Sequence, residues 1–134
     1  QQDIVAIIGE TVFVHAGLLP GHVRTGLGRL NAESRQWMLG KRPSPKWLHK
    51  VSSPIWTRVY SRDDKWVCEQ LNKTLVAIGA KRMVVGHTVQ RRGITSGCGG
   101  KIWRIDVGMS STYGGKAEAL ELRGEQTRII TLKD

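Results

Sequence analysis

Ile4-Val5-Ala6-Ile7-Ile8-Gly9-Glu10-Thr11-Val12-Phe13-Val14-His15 is the stretch on which the fold turns. Residues 4–8 and 11–15 are runs rich in β-branched side chains, which pack well on a pleated surface. Gly9-Glu10 joins them by a two-residue link of the Gly-X kind, suited to a type II′ turn, so the chain opens with a hairpin that ends at His15. A second short strand, residues 82–85, enters Gly86-His87-Thr88. Between the two strands lies the best helix of the chain. Residues 61–64 resemble a capping signal, and Trp66, Val67, Leu71, Leu75 and Ile78 form an apolar stripe that stops at Gly79. A helix so placed can cross over to a neighbouring strand, which predicts an α/β fold with mixed sheets and helices outside.

Working outward, residues 101–107, 117–122 and 126–132 read as three more strands, the last two turned at Arg123-Gly124-Glu125. Because they are sequential and closely spaced, they are expected to pair antiparallel. Residues 17–21 form a Gly/Pro loop, and Val23, Leu27 and Leu30 then follow helical spacing. Asn31 can cap a second short helix ending at Gly40, with Trp37 and Met38 on its buried face. Residues 41–53 mix proline, lysine and serine with isolated Trp47 and Leu48 and follow no period; they read as an ordered surface excursion or a flexible insert.

A length of 134 residues has room for one domain or part of one, so an active site must be built within one core or shared. Hydrophobic residues at 40% and charged residues at 24% fit a globular protein. No apolar run approaches the roughly 20 residues of a membrane-spanning helix, so a membrane is not an expected partner. Gln1-Gln2-Asp3 leads into strand-like sequence with neither a basic n-region nor an h-region, and the start reads as a cut in a longer chain. Cys68 and Cys98 lack the count and spacing of a disulfide framework or a zinc site, so a reducing, cytoplasmic setting is the default. The formal net charge of +10 would suit a polyanion, yet Lys and Arg are scattered along the chain, and nucleic acid is not an expected partner.

His15 and His87 each end a hydrophobic strand and are followed by small or turn-forming residues, a placement that presents imidazoles at the rim of a sheet. Neutral imidazole suits Zn, Fe or Mn, but two histidines do not make a site, and from spacing alone each reads first as a hydrogen-bonded strand-end residue. Arg58 follows an apolar and aromatic anchor in Pro54-Ile55-Trp56-Thr57-Arg58. Its planar fork can grip two phosphate oxygens, or it can stack on Trp56 or pair with Asp63 or Asp64. Asp106 fits a metal ligand and equally a carboxylate that holds loop amides, and Tyr113 either faces a pocket or packs on its turn.

Three segments in order resemble a known family. Val12-Phe13-Val14-His15-Ala16-Gly17-Leu18 resembles the FxHGGL segment of calcineurin-like metallophosphoesterases of the phosphoprotein phosphatase branch. Ile55-Trp56-Thr57-Arg58 is similar to their tryptophan and arginine segment, and Val84-Val85-Gly86-His87-Thr88 to their VxGHT segment. The stretch from Trp103 to Ser110 looks most like the Shewanella-like phosphatases. The resemblance implies that residues 1–134 are the C-terminal half of an α/β sandwich of two mixed β-sheets flanked by helices. His15 and His87 would bind one metal of a dinuclear centre of Mn, Fe or Zn, and Arg58 would bind the substrate phosphate. The implied reaction is that of a protein serine/threonine phosphatase, hydrolysis of phosphoserine or phosphothreonine in a phosphoprotein, with phosphotyrosine as the other candidate, by in-line attack of a metal-bound hydroxide and with no covalent phosphoenzyme.

The departures from the family pattern are large. The segments GDxHG, GDxxDRG and GNHE, which supply the other metal ligands and the acid histidine, do not occur, so no catalytic residue is assigned here and the 134 residues alone are expected to be inactive or nearly so. Ala16 and Val89 replace a usual glycine and proline without removing a ligand. The missing N-terminal half is then the expected partner, and its absence should leave an apolar edge and face that favours self-association. The competing readings are a metallophosphoesterase acting on nucleotides or other small phosphate esters, and a non-catalytic basic module that binds phosphate or nucleic acid.

Overall fold

The computed structural model describes residues 3–131. β1 (Val5–Ile8) and β2 (Thr11–Val14) form the expected antiparallel hairpin. Gly9 takes φ +57 at the turn while Glu10 stays out of the left-handed region, as a Gly-X link requires. Two helices follow, α1 (Pro20–Thr25) and α2 (Leu27–Met38), then single 3₁₀ turns at Lys46–His49 and Val59–Ser61, and then α3 (Lys65–Ile78). β3 (Arg82–Val85), β4 (Thr95–Gly97), β5 (Ile102–Arg104), β6 (Glu118–Arg123) and β7 (Gln126–Thr131) complete the order. Leu132, the expected last residue of the final strand, lies outside the described residues.

A five-stranded mixed sheet in the order β1-β2-β3-β5-β4 carries the core. α3 is the crossover between β2 and β3, which run parallel. Asp64 caps its start by accepting the Val67 N–H at 3.1 Å, and Gly79 ends it at φ +69. The register aligns Val12, Met83 and Ile102 across three strands, all fully buried, and Val67 and Leu71 of α3 pack in the same core. Fully burying one such aliphatic side chain contributes about 1.5–3 kcal/mol, so this face holds the fold together.

Several expectations need correction. Residues 101–107 shorten to β5, which does not pair with the strands after it. It enters the main sheet parallel to β3 and takes the unforeseen β4 as its antiparallel neighbour. The second sheet is only the β6–β7 hairpin, antiparallel rather than mixed, tied to the main body where Lys81 bonds Glu125 and the Glu118 carboxylate accepts the Ile94 N–H. Asn31 does not cap a helix: it lies inside α2, and its amide exchanges two hydrogen bonds with the Val5 backbone, at 3.1 and 2.8 Å. Leu30 and Ser34 form the buried side of α2, while Trp37 and Met38 are exposed, as is Trp66 on α3. Residues 41–53 are ordered through buried Leu48 and a bond from Trp47 Nε1 to Glu33. Cys68 and Cys98 form a disulfide across a 30-residue separation, against the expectation of free thiols.

Among the described residues the opposite face is covered only in part: Thr11 and Val84 are buried there, where Arg82 bonds Thr11 and the β6–β7 turn, but its remainder is open. Ala6 and Ile8 are exposed there, Phe13 is half-buried, and Ile105 is exposed just beyond β5, all on or beside the side opposite α3. No helix of the described residues is long and apolar enough to cross a membrane.

Candidate functional site

The parallel pairing of β2 and β3 sets Val14 against Val85, so both strands reach the same rim together. The ladder runs one step further, with the Gly86 N–H donating to the His15 carbonyl at 2.8 Å. His87 then adopts φ +64, a left-handed conformation that non-glycine residues rarely take and that is found where local structure serves a site. The turn brings the imidazoles together: His15 Nε2 lies 3.1 Å from His87 Nδ1, with ring centroids 5.0 Å apart.

Arg58 comes to this rim from a different direction. The Pro54 carbonyl accepts hydrogen bonds from Ala16 N–H at 2.8 Å and Gly17 N–H at 3.2 Å, which staples the 54–58 segment to the end of β2. A Cβ on Gly17 would overlap the Tyr60 ring, so glycine is required by close approach. The buried Tyr60 hydroxyl donates to the Leu18 carbonyl, and burial pushes its pKa up to about 12. Thus held, Arg58 donates from Nη1 to Thr88 Oγ1 at 3.2 Å. Asp63 pairs with Arg104 and Asp64 with Arg62, which leaves Arg58 without a carboxylate partner among the described residues. Trp56, 55% exposed, meets the His87 ring edge to face at 5.6 Å. A cleft of about 760 Å³ opens beside them, lined by Trp56, Arg58, Arg62, His49 and His87.

Electrostatics at the rim favour a neutral imidazole. Burial is the main cause that lowers the His87 pKa, reinforced by the Arg58 and His15 charges and opposed by the Trp56 backbone and by Asp106. His87 Nε2 is buried beside the Trp56 backbone without a well-formed hydrogen bond among the described residues. Two lone-pair nitrogens at this separation fit adjacent positions around one borderline-soft divalent ion. The anionic ligands that would complete such a site are not here: the described residues contain no cluster of three or more His, Cys, Asp or Glu able to hold a metal.

The three residues singled out in the sequence, His15, Arg58 and His87, therefore converge. Asp106 takes the other reading left open for it, its carboxylate accepting the Gly108 N–H at 3.1 Å. Tyr113 lies exposed on its turn. Arg104 was not foreseen. It is 4% exposed and donates to the Tyr60 carbonyl, the Asp63 carboxylate and, at 3.2 Å, the Arg62 carbonyl, so it grips the turn that follows Arg58. An arginine inside a short strand was the available signal, since such a cation needs partners when buried.

Comparison with known proteins agrees with this architecture. No family model matches the chain. It is 42% identical over 139 aligned residues to Shewanella-like protein phosphatase 2 of Arabidopsis thaliana, covering 98% of this chain and 36% of that protein. An uncharacterised protein of Schizosaccharomyces pombe is 29% identical, over 88% of this chain and 37% of its own length. The chain thus spans little more than a third of these relatives. The crystal structure of the cold-active protein-tyrosine phosphatase of a psychrophilic Shewanella species superposes with TM-score 0.75 at 22% identity, over 98% of this chain and 43% of that one. The shared fold is a mixed α/β arrangement with helices against a mixed sheet.

Proposed function

We propose that these residues are the C-terminal part of a metal-dependent phosphomonoester hydrolase of the protein phosphatase type, a calcineurin-like metallophosphoesterase whose substrate is a phosphoprotein. The observation that carries this reading is the convergence of His15 Nε2, His87 Nδ1 and Arg58, which has no carboxylate partner among the described residues, at the shared end of two parallel strands. The similarity to a named protein phosphatase over nearly the whole chain supports it.

In this reading His15 and His87 hold one of two divalent ions of the Mn, Fe or Zn kind. When bound, such ions supply Lewis-acid activation of water and of the phosphate oxygens. The chain's own residues do the rest. Arg58, charged at any working pH, grips two oxygens of the phosphate and opposes the charge that grows on them during transfer. Thr88 fixes one arm of its guanidinium, so little orientation is lost on binding. Trp56 walls the cleft beside His87 and restricts water there. The remaining anionic ligands come from a preceding N-terminal half, which packs on the uncovered sheet face at Ile8, Phe13 and Ile105.

The test is hydrolysis of a phosphopeptide with added Mn²⁺, comparing residues 1–134 with a protein extended upstream. Activity should belong to the extended protein, and His87→Ala should lower it at least roughly 10²-fold while reducing bound metal. Robust metal-dependent turnover by residues 1–134 alone would show that a complete site lies within them and overturn the divided-site reading. Faster turnover of a nucleotide than of the phosphopeptide would overturn the substrate class.

A further inference from the structure

Resting on the phosphatase reading, we infer that the cleft holds a second anion-binding position built on Arg62, which makes its preferred substrate a phosphorylated segment carrying another negative group close to the phosphate to be removed.

Arg58 and Arg62 flank the 3₁₀ turn Val59–Ser61 at its two ends, and both line the same cleft. The turn is rigidly held. Ser61 Oγ donates to the Arg58 carbonyl at 2.7 Å, and buried Arg104 fixes the Tyr60 and Arg62 carbonyls from below. The two guanidinium groups are therefore offered from one braced scaffold, and such pre-organisation keeps the entropy cost of binding low. Arg62 has a partner in Asp64, but Nε to Oδ2 is 3.6 Å, both side chains are exposed, and Asp64 already accepts the Val67 N–H. A long, exposed pair of this kind is worth little and yields readily to an incoming anion. His49 also lines the cleft, its Nε2 in contact with Ser44 Oγ at 2.7 Å, and no carboxylate does. Arg58 can grip two oxygens of the phosphate to be removed, and Arg62, at the other end of the turn, offers a further cation to a neighbouring anion. A carboxylate or a second phosphate within about three residues, roughly 10 Å of extended chain, would reach it.

The experiment uses the upstream-extended protein with three phosphopeptides: neutral flanks, a nearby glutamate, and a nearby second phosphorylated residue. The expected result is kcat/KM on the order of tenfold higher for at least one anionic peptide than for the neutral one, shrinking as salt rises. Arg62→Gln should bring that ratio close to one, and Arg62→Lys should restore most of it, which separates a charge effect from a folding defect. A gain with the second phosphate alone places a phosphate at Arg62, and a gain with both shows that any anion serves. A ratio near one in the unaltered protein, or a ratio that survives Arg62→Gln, overturns the subsite and leaves the phosphatase reading standing. Failure to turn over any of the three peptides overturns both.

Discussion

The two faces of the five-stranded sheet are built from the same strands and behave oppositely. Toward α3, Val12, Met83 and Ile102 have no exposed surface, and the Asp64 carboxylate holds the Val67 N–H at the start of that helix. On the other face and along the adjoining rim, Ile8 and Ile105 are open to solvent, and among the described residues Arg58 has no carboxylate partner and His87 Nε2 no well-formed hydrogen bond. Alternation along a strand forces each pleat to serve both sides, so the composition of β1 and β2 alone cannot tell which side is finished. One side is a closed core, whereas the other is closed at Thr11 and Val84 and open at Ile8 and Ile105, where its apolar surface has nothing of the described residues packed on it.

Truncations on the two faces test that contrast most strongly. Leu71→Ala, within the covered core, should cost about 3 kcal/mol in urea unfolding, because the cavity cannot fully collapse. Ile8→Ala, 68% exposed, should cost less than about 0.5 kcal/mol in residues 1–134. In the upstream-extended protein the Ile8 value should rise above roughly 1 kcal/mol if a preceding segment covers this face. A large Ile8 effect in the short chain, dependent on protein concentration, would instead mean that two copies cover each other.

Arg104 joins the finished side to the unfinished one, and its removal should have an intermediate effect. Arg104→Met deletes charge-assisted bonds to two carbonyls and a carboxylate, for an expected loss of about 2 kcal/mol. Because Arg104 positions the turn that follows Arg58 and does not touch substrate, the extended enzyme should show raised KM with a smaller change in kcat. An equal fall in kcat with KM unchanged would mean that Arg104 acts on the reacting phosphate itself.

How much of this was legible in the sequence follows the same division. The hairpin, the α3 stripe with Asp64 and Gly79, and the strand-end histidines are local patterns, and the structure reproduces them. Arg58 was legible as an arginine in a motif, though its contact with Thr88 lies 30 residues away. What escaped depends on contacts across the chain. Asn31 looked like a cap because an asparagine at a helix boundary has that local chemistry, yet the Val5 backbone, 26 residues distant, claims its amide. Cys68 and Cys98 gave no pairing signal, since they are 30 residues apart and only the folded chain brings the turn after β4 beside α3. β4 itself, Thr95-Ser96-Gly97, has little β-propensity and forms because β5 offers an edge.

The smallest expected effect compares two histidines. Burial is the leading cause that lowers the pKa of both His22 and His87, but they differ in what the neutral ring does. His22, on the covered side, accepts the Leu19 N–H on Nδ1 at 3.0 Å, a task that protonation abolishes. With a folded pKa below 6.5, the native chain binds fewer protons than the unfolded chain in the window just under 6.5, so stability rises with pH there and is lost on acidification. His22→Gln retains an acceptor without a titration, so it should flatten the stability profile between about pH 7.5 and 5 while leaving the pH 7.5 value nearly unchanged. Adding His87→Gln should remove most of the slope that remains above about pH 6, because both groups titrate with the same sign, while the lowered Glu33 and Glu125 carboxyls keep a slope nearer pH 5. If His22→Gln leaves the whole profile unaltered, the histidine on the finished side contributes no linkage, and the contrast between satisfied and unsatisfied imidazoles fails at its most direct point.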